Sequence, residues 1–127
     1  MRPSILIVDD VAVNLHFLHV ILQDHYQVSF ATSGRQALEL IERRRPDLVL
    51  LDLGLPDLDG AEVWRQIRSR PQCRDLPVIF ITAREAEEGV SGALAEVERL
   101  VKPVEADALL IAIRAHLGRL VSENPEG

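Results

Sequence analysis

Asp9 and Asp10 stand side by side at the end of an apolar run, 5–8, and Asp52 closes a second run, 48–51. Two more polar residues close apolar runs in the same way, Thr82 after 78–81 and Lys102 after 99–101. Adjacent carboxylates repel each other and resist losing water, so such a pair at the end of a buried strand calls for a cation. Carboxylate oxygens are hard ligands, and an acidic site that keeps several waters suits Mg2+, with Mn2+ as the alternative. A backbone carbonyl near Gly54 can complete the coordination shell. One carboxylate then remains free to react, and Asp52, the central one, is the better nucleophile; attack on phosphorus yields an aspartyl phosphate. The cation bridges phosphoryl oxygens, Lys102 adds a second positive group, and the Thr82 hydroxyl can donate to the phosphoryl group.

These side chains meet only if the runs carrying them are parallel strands, which all end at one edge of a sheet. The pattern supports this. Strands are expected at 4–8, 27–31, 47–52, 77–82 and 99–101. Between them lie helix-period segments. Residues 14–25 place Leu15, Leu18, Ile21 and Leu22 on one face. Ser33 and Gln36 have capping-box spacing ahead of a helix closed by Pro46, and Asp59 can cap the helix that follows the loop of Gly54, Pro56 and Gly60. Residues 105–120 form a last amphipathic helix with Ala106, Leu109, Leu110, Ile113 and Leu117 inward. A fourth helix is expected over 84–98, short or broken, because Gly89 and Gly92 each cost about 0.8–1 kcal/mol relative to alanine in a helix interior. Five β-α repeats predict an α/β, flavodoxin-like, doubly wound (βα)5 fold. Its parallel sheet would have the order 2-1-3-4-5 and a ligand crevice at the carboxyl ends of strands 1 and 3.

The chain has 127 residues, 47% of them hydrophobic and 27% charged, enough for one packed core. A net charge of −6 disfavours nucleic-acid binding by the domain itself. The single cysteine, Cys73, cannot form an internal disulfide, and no signal peptide or membrane-length apolar run is present. A cytoplasmic location without membrane contact is the expectation. Residues 1–121 are read as one domain and 122–127 as a flexible tail or the start of a linker.

With Asp9-Asp10, the stretch around Asp52 (LLDLGLPDLDG), Thr82 closing PVIFIT, and Lys102-Pro103, the chain resembles the receiver domains of two-component response regulators over essentially its whole length. The resemblance implies that Asp52 takes a phosphoryl group from a histidine kinase or phosphotransfer protein. Mg2+ would be held by Asp10, Asp52 and the Gly54 carbonyl, with Asp9 acting through a metal-bound water. It also implies a cis peptide at Lys102-Pro103 and a switch that controls an output domain or a downstream protein, with a homodimer possible. The stretches 9–18 and 74–83 look most like receivers ahead of cyclic-di-GMP enzymes or within hybrid kinases. Family members commonly carry an aromatic residue three positions before the lysine, as a rotamer switch coupled to the threonine; here that position is Arg99. This departure, with the glycines of 84–98, predicts a readout that orders that segment instead. Thr82, Arg99 and Pro103 are therefore the expected switch residues, and Gly54 and Arg84 are expected to tune hydrolysis.

Other readings fit less well. An EF-hand register through 57–60 puts Leu55 and Gln66 at ligand positions. A haloacid-dehalogenase phosphohydrolase needs an aspartate where Gly54 stands. His16 and His19 lack a third ligand, His25 and His116 read as surface residues, and Cys73 sits in what looks like a polar loop. Arg43, Arg44 and Arg45 suit the carboxyl end of a helix, and Trp64 a half-buried helix position. The remaining rival is an adaptor or phosphorelay receiver that acts mainly by binding proteins, and the five-residue set weighs against the loss of phosphorylation.

Overall fold

Unbroken apolar strands need cover on both faces, and the chain supplies it. The computed structural model describes residues 2–83 and 97–122. Its five strands are β1 (Ser4–Val8), β2 (Gln27–Ala31), β3 (Leu48–Asp52), β4 (Val78–Thr82) and β5 (Arg99–Val101). They form one parallel sheet in the order β2-β1-β3-β4-β5, the flavodoxin-like arrangement. Helices α1 (Ala12–Leu22), α2 (Gly34–Arg43), α3 (Gly60–Arg68) and α4 (Ala106–Ser122) pack on it, and a short 3-10 turn spans Pro71–Cys73.

Alternation along the strands sorts the core in two. Leu6, Val8, Val49, Leu51, Val78 and Phe80 point toward α2 and α3, where they meet Ala37, Leu38, Ile41, Val63 and Ile67. Ile5, Ile7, Leu48, Leu50, Ile79 and Ile81 point the other way and meet Leu18, Leu22, Leu109, Ile113 and Leu117 of α1 and α4. Among the described residues no helix is long and apolar enough to cross a membrane.

Several local expectations change. Helix α1 starts at Ala12 rather than Asn14 and ends at Leu22. Ser33 caps α2 by accepting from the Gln36 N–H, but the Gln36 side chain reaches past Ser33 to the Thr32 N–H at 2.8 Å. Ala106 is exposed, not inward. It opens α4 beside the carboxyl edge, and the buried stripe begins one turn later with Leu109, Ala112 and Ile113. Cys73 is not a polar-loop residue; the 3-10 turn carries it fully into the core. The expected helix over 84–98 falls on residues of which 84–96 lie outside the described set, as do Arg84 and the tail beyond residue 122.

Candidate functional site

The carboxyl edge gathers what the core excludes. Among the described residues the buried polar side chains are Asp9, Asp52 and Thr82. Strand β1 delivers Asp9 and Asp10 just past Val8, and the Asp9 N–H continues the pairing with β2 at Ala31 O. Strand β3 delivers Asp52, which pairs in register with Ile81, one residue before Thr82. Thr82 pairs with Val101, and the Lys102 N–H donates to Thr82 O at 2.8 Å, so the β4–β5 pairing runs on into the lysine. The Lys102-Pro103 peptide is cis.

One carboxylate oxygen from each of Asp9, Asp10 and Asp52 lies within 4.8 Å of the others. Lys102 Nζ stands 3.3 Å from Asp52 Oδ2. The other oxygen, Oδ1, accepts from the Gly54 N–H at 2.9 Å, which holds the carboxylate against the start of the next loop. Three carboxylates against one ammonium leave a formal charge of −3 + 1 = −2. Burial pushes the Asp9 carboxyl above the usual aspartate range. The Asp52 charge adds to the push, while the Val11 N–H, Lys102 and Asn14 pull the other way. Hard oxygens, close spacing and uncompensated charge together fit a small divalent cation.

Asp9 and Lys102 also line a cavity of about 500 Å³ whose walls are otherwise apolar apart from Asn14, with Phe17 and Leu18 of α1 facing Pro103 and Val104. The site therefore opens beside α1 and the turn after β5. Asn14, Phe17 and Val104 escaped the sequence reading, since nothing in their spacing separates them from ordinary helix and loop residues. The Thr82 hydroxyl donates to Ala83 O at 3.0 Å. Arg99 pairs with Phe80 in the β4–β5 register, two residues back from the Thr82 pair, and its guanidinium donates to Val97 O.

Among the described residues no histidine joins the acidic cluster. His19 meets Phe30 edge-on at 5.3 Å, and His116 Nε2 lies 2.7 Å from Glu98 Oε1. Trp64 is half-buried, with the Arg68 guanidinium 5.7 Å from its ring centre.

A family model described as the response regulator receiver domain matches residues 5–114. Response regulator MprA of Mycolicibacterium vanbaalenii is 41% identical over 130 residues, covering 100% of this chain and 55% of that protein. A probable cyclic di-GMP phosphodiesterase of Vibrio cholerae is 37% identical over 116 residues, 90% of this chain and 26% of its own length. The chain thus spans between about a quarter and just over half of these relatives. Among solved structures, the receiver domain of a Pseudomonas aeruginosa sensor histidine kinase, with a magnesium ion in its active-site cleft, superposes with a TM-score of 0.84. It is 31% identical, and the match covers 93% of this chain and 99% of that one.

Proposed function

The chain belongs to the family of response regulator receiver domains of two-component signalling, and from that premise we propose that Asp52 is its phosphoacceptor. The observation that carries the reading is the meeting of Asp52 with Lys102 at 3.3 Å and with Asp9 and Asp10 within 4.8 Å. Asp9, Asp10, Asp52 and the Gly54 carbonyl would hold Mg2+, or Mn2+ in its place. When bound, the cation neutralises charge on the transferring phosphoryl oxygens.

The protein's own groups do the rest. An Asp52 oxygen attacks phosphorus as the bond to the donor nitrogen breaks. The Gly54 N–H restrains the other carboxylate oxygen, which limits the rotation that would spoil the approach. Lys102, now on Asp52, is placed to follow the charge onto the phosphoryl group. Thr82, fully buried one residue beyond the Asp52–Ile81 pair, would trade its bond to Ala83 for one to phosphate. With Arg99 and Pro103, Thr82 would then carry the change to an output domain or a partner. Gly54 and Arg84 would set the hydrolysis rate. Such a domain catalyses only its own phosphorylation and dephosphorylation.

The donor would be a histidine kinase or phosphotransfer protein in the cytoplasm. Val13, Phe17 and Val20, at helical i, i+4, i+7 spacing and 69%, 47% and 50% exposed, give α1 an apolar face beside the site suited to such a protein. Intact-mass spectrometry after incubation with acetyl phosphate and Mg2+ tests the proposal. One added phosphoryl group is expected, absent from Asp52→Asn and from chelator-treated protein. If neither an adduct nor beryllofluoride binding can be detected, Asp52 is not a phosphoacceptor and the adaptor reading leads.

A further inference from the structure

The loop between β3 and α3 carries Gly54 and is fastened at both ends. The Leu53 N–H donates to Ile81 O, the Gly60 N–H donates to Leu53 O, and Asp59 caps α3 by accepting from the Glu62 N–H at 2.9 Å. Its middle is fastened too, by a contact across 23 residues of sequence. Asp57 Oδ1 accepts from the Gly34 N–H at 2.9 Å and Oδ2 accepts from the Arg35 N–H at 3.1 Å.

These N–H groups belong to the first turn of α2, where no carbonyl within the helix can reach them. A carboxylate there makes charge-assisted bonds and sits at the positive end of the helix dipole. The loop and α3 side chains pack so closely on the start of α2 that a Cβ on Gly34 would lie 2.8 Å from Val63 Cγ2 and 3.0 Å from Leu58 Cβ. The Ser33 cap of α2 serves only the Gln36 N–H. Asp57 takes the two N–H groups before it, and because it comes from another segment it ties the loop to the helix as it does so.

We infer that Asp57 is a positioning residue for the phosphoryl site, fastening the loop after Asp52 to the amino end of α2 and thereby fixing the Gly54 backbone. The inference rests on the reading of Gly54 as a metal ligand. Gly54 lies three residues before Asp57, and its N–H also orients Asp52. Metal–ligand distances lie within about 0.2 Å of their usual values, so releasing the loop from α2 is expected to disturb the site more than the fold. Groups that orient ligands cost about 10–100-fold in metal affinity when removed.

The test compares Asp57→Ala with Ser33→Ala, which removes the local cap of the same helix and leaves the loop tied. Both are expected to lower thermal stability. Only Asp57→Ala should weaken Mg2+ binding by calorimetry, by about tenfold, and slow phosphorylation by acetyl phosphate at fixed sub-saturating Mg2+. Asp57→Asn, which keeps one acceptor, should fall between wild type and Asp57→Ala and serves if the alanine variant does not fold. If the Asp57 variants bind Mg2+ within twofold of wild type while Asp10→Asn does not, Asp57 is only a helix cap and the site reading stands. Equal loss in Ser33→Ala also overturns the inference. Failure of wild type itself to bind Mg2+ overturns the site reading and this inference with it.

Discussion

Replacing Asp9 with asparagine should stabilise the metal-free protein. Carboxylate oxygens of Asp9 and Asp52 lie no more than 4.8 Å apart. Two unit charges at that separation repel by about 3.5 kcal/mol at an effective dielectric near 20. Lys102, 3.3 Å from Asp52, offsets part of this, and the burial of Asp9, only 2% exposed, adds a desolvation cost. Asparagine has nearly the same shape, and its Oδ1 can still accept the Val11 N–H held at 2.9 Å. The expected gain is about 1–3 kcal/mol, or about 3–5 °C in Tm for each kcal/mol in a domain of this size. Urea melts in chelator at neutral pH, followed by circular dichroism, measure it. The sign with pH follows from burial, which raises the Asp9 carboxyl above its ordinary value. Such a group favours the folded state when protonated, and the wild type loses that stability as pH rises through the raised folded value. The gap between variant and wild type should therefore be open at neutral pH and close below the ordinary aspartate value of about 3.9. Mg2+ should narrow it as well, since ligand at 100 times its Kd adds about 2.7 kcal/mol to the form that binds it. Equal melts in chelator at neutral pH, or a less stable variant, would refute the charge-crowding argument.

Gly60→Ala should destabilise by about 1–3 kcal/mol, because the added Cβ would stand 2.8 Å from the Leu53 Cα; a denaturant midpoint equal to wild type contradicts the close approach. Hydrogen bonds from the Gly34 and Arg35 N–H groups hold the Asp57 carboxyl below the usual range. Its contribution to stability is present above the ordinary aspartate value and fades as pH falls through the lowered one, so Asp57→Asn and wild type should converge only in strong acid. Lys102→Ala should slow phosphorylation by acetyl phosphate about 10²–10³-fold, as for the loss of one preorganised group facing developing charge, with Mg2+ affinity kept; intact-mass spectra of quenched time points read the rate. Arg84→Ala should change the half-life of the phosphorylated form without preventing its formation, checked by timed intact-mass spectra.

Much of this protein is decided by local sequence. Apolar runs without alternation require a sheet covered on both faces, and helix-period segments between them require right-handed parallel crossovers. Once the strands are parallel, Asp9, Asp10, Asp52, Thr82 and Lys102 must share one edge, since each ends a strand or follows one within two residues. The cap by Asp59 was also legible, because an N-cap is a contact within four residues.

What depends on packing between distant segments was not legible. Cys73 looked polar by its neighbours, but a 3-10 turn three residues long carries it fully into the core. Ala106 shares a helical stripe with Leu109 and Ile113, yet burial begins only with Leu109. Asn14 and Val104 become lining residues only because α1 and the turn after β5 face each other across the cavity. Asp57 reads as a turn residue and proves to be bonded to Gly34 and Arg35, in a helix that precedes it by more than twenty positions. Period and strand ends are properties of neighbouring residues along the chain and survive in one dimension. Which side chain meets which across a gap is set by how the layers stack, and only the tertiary structure decides that.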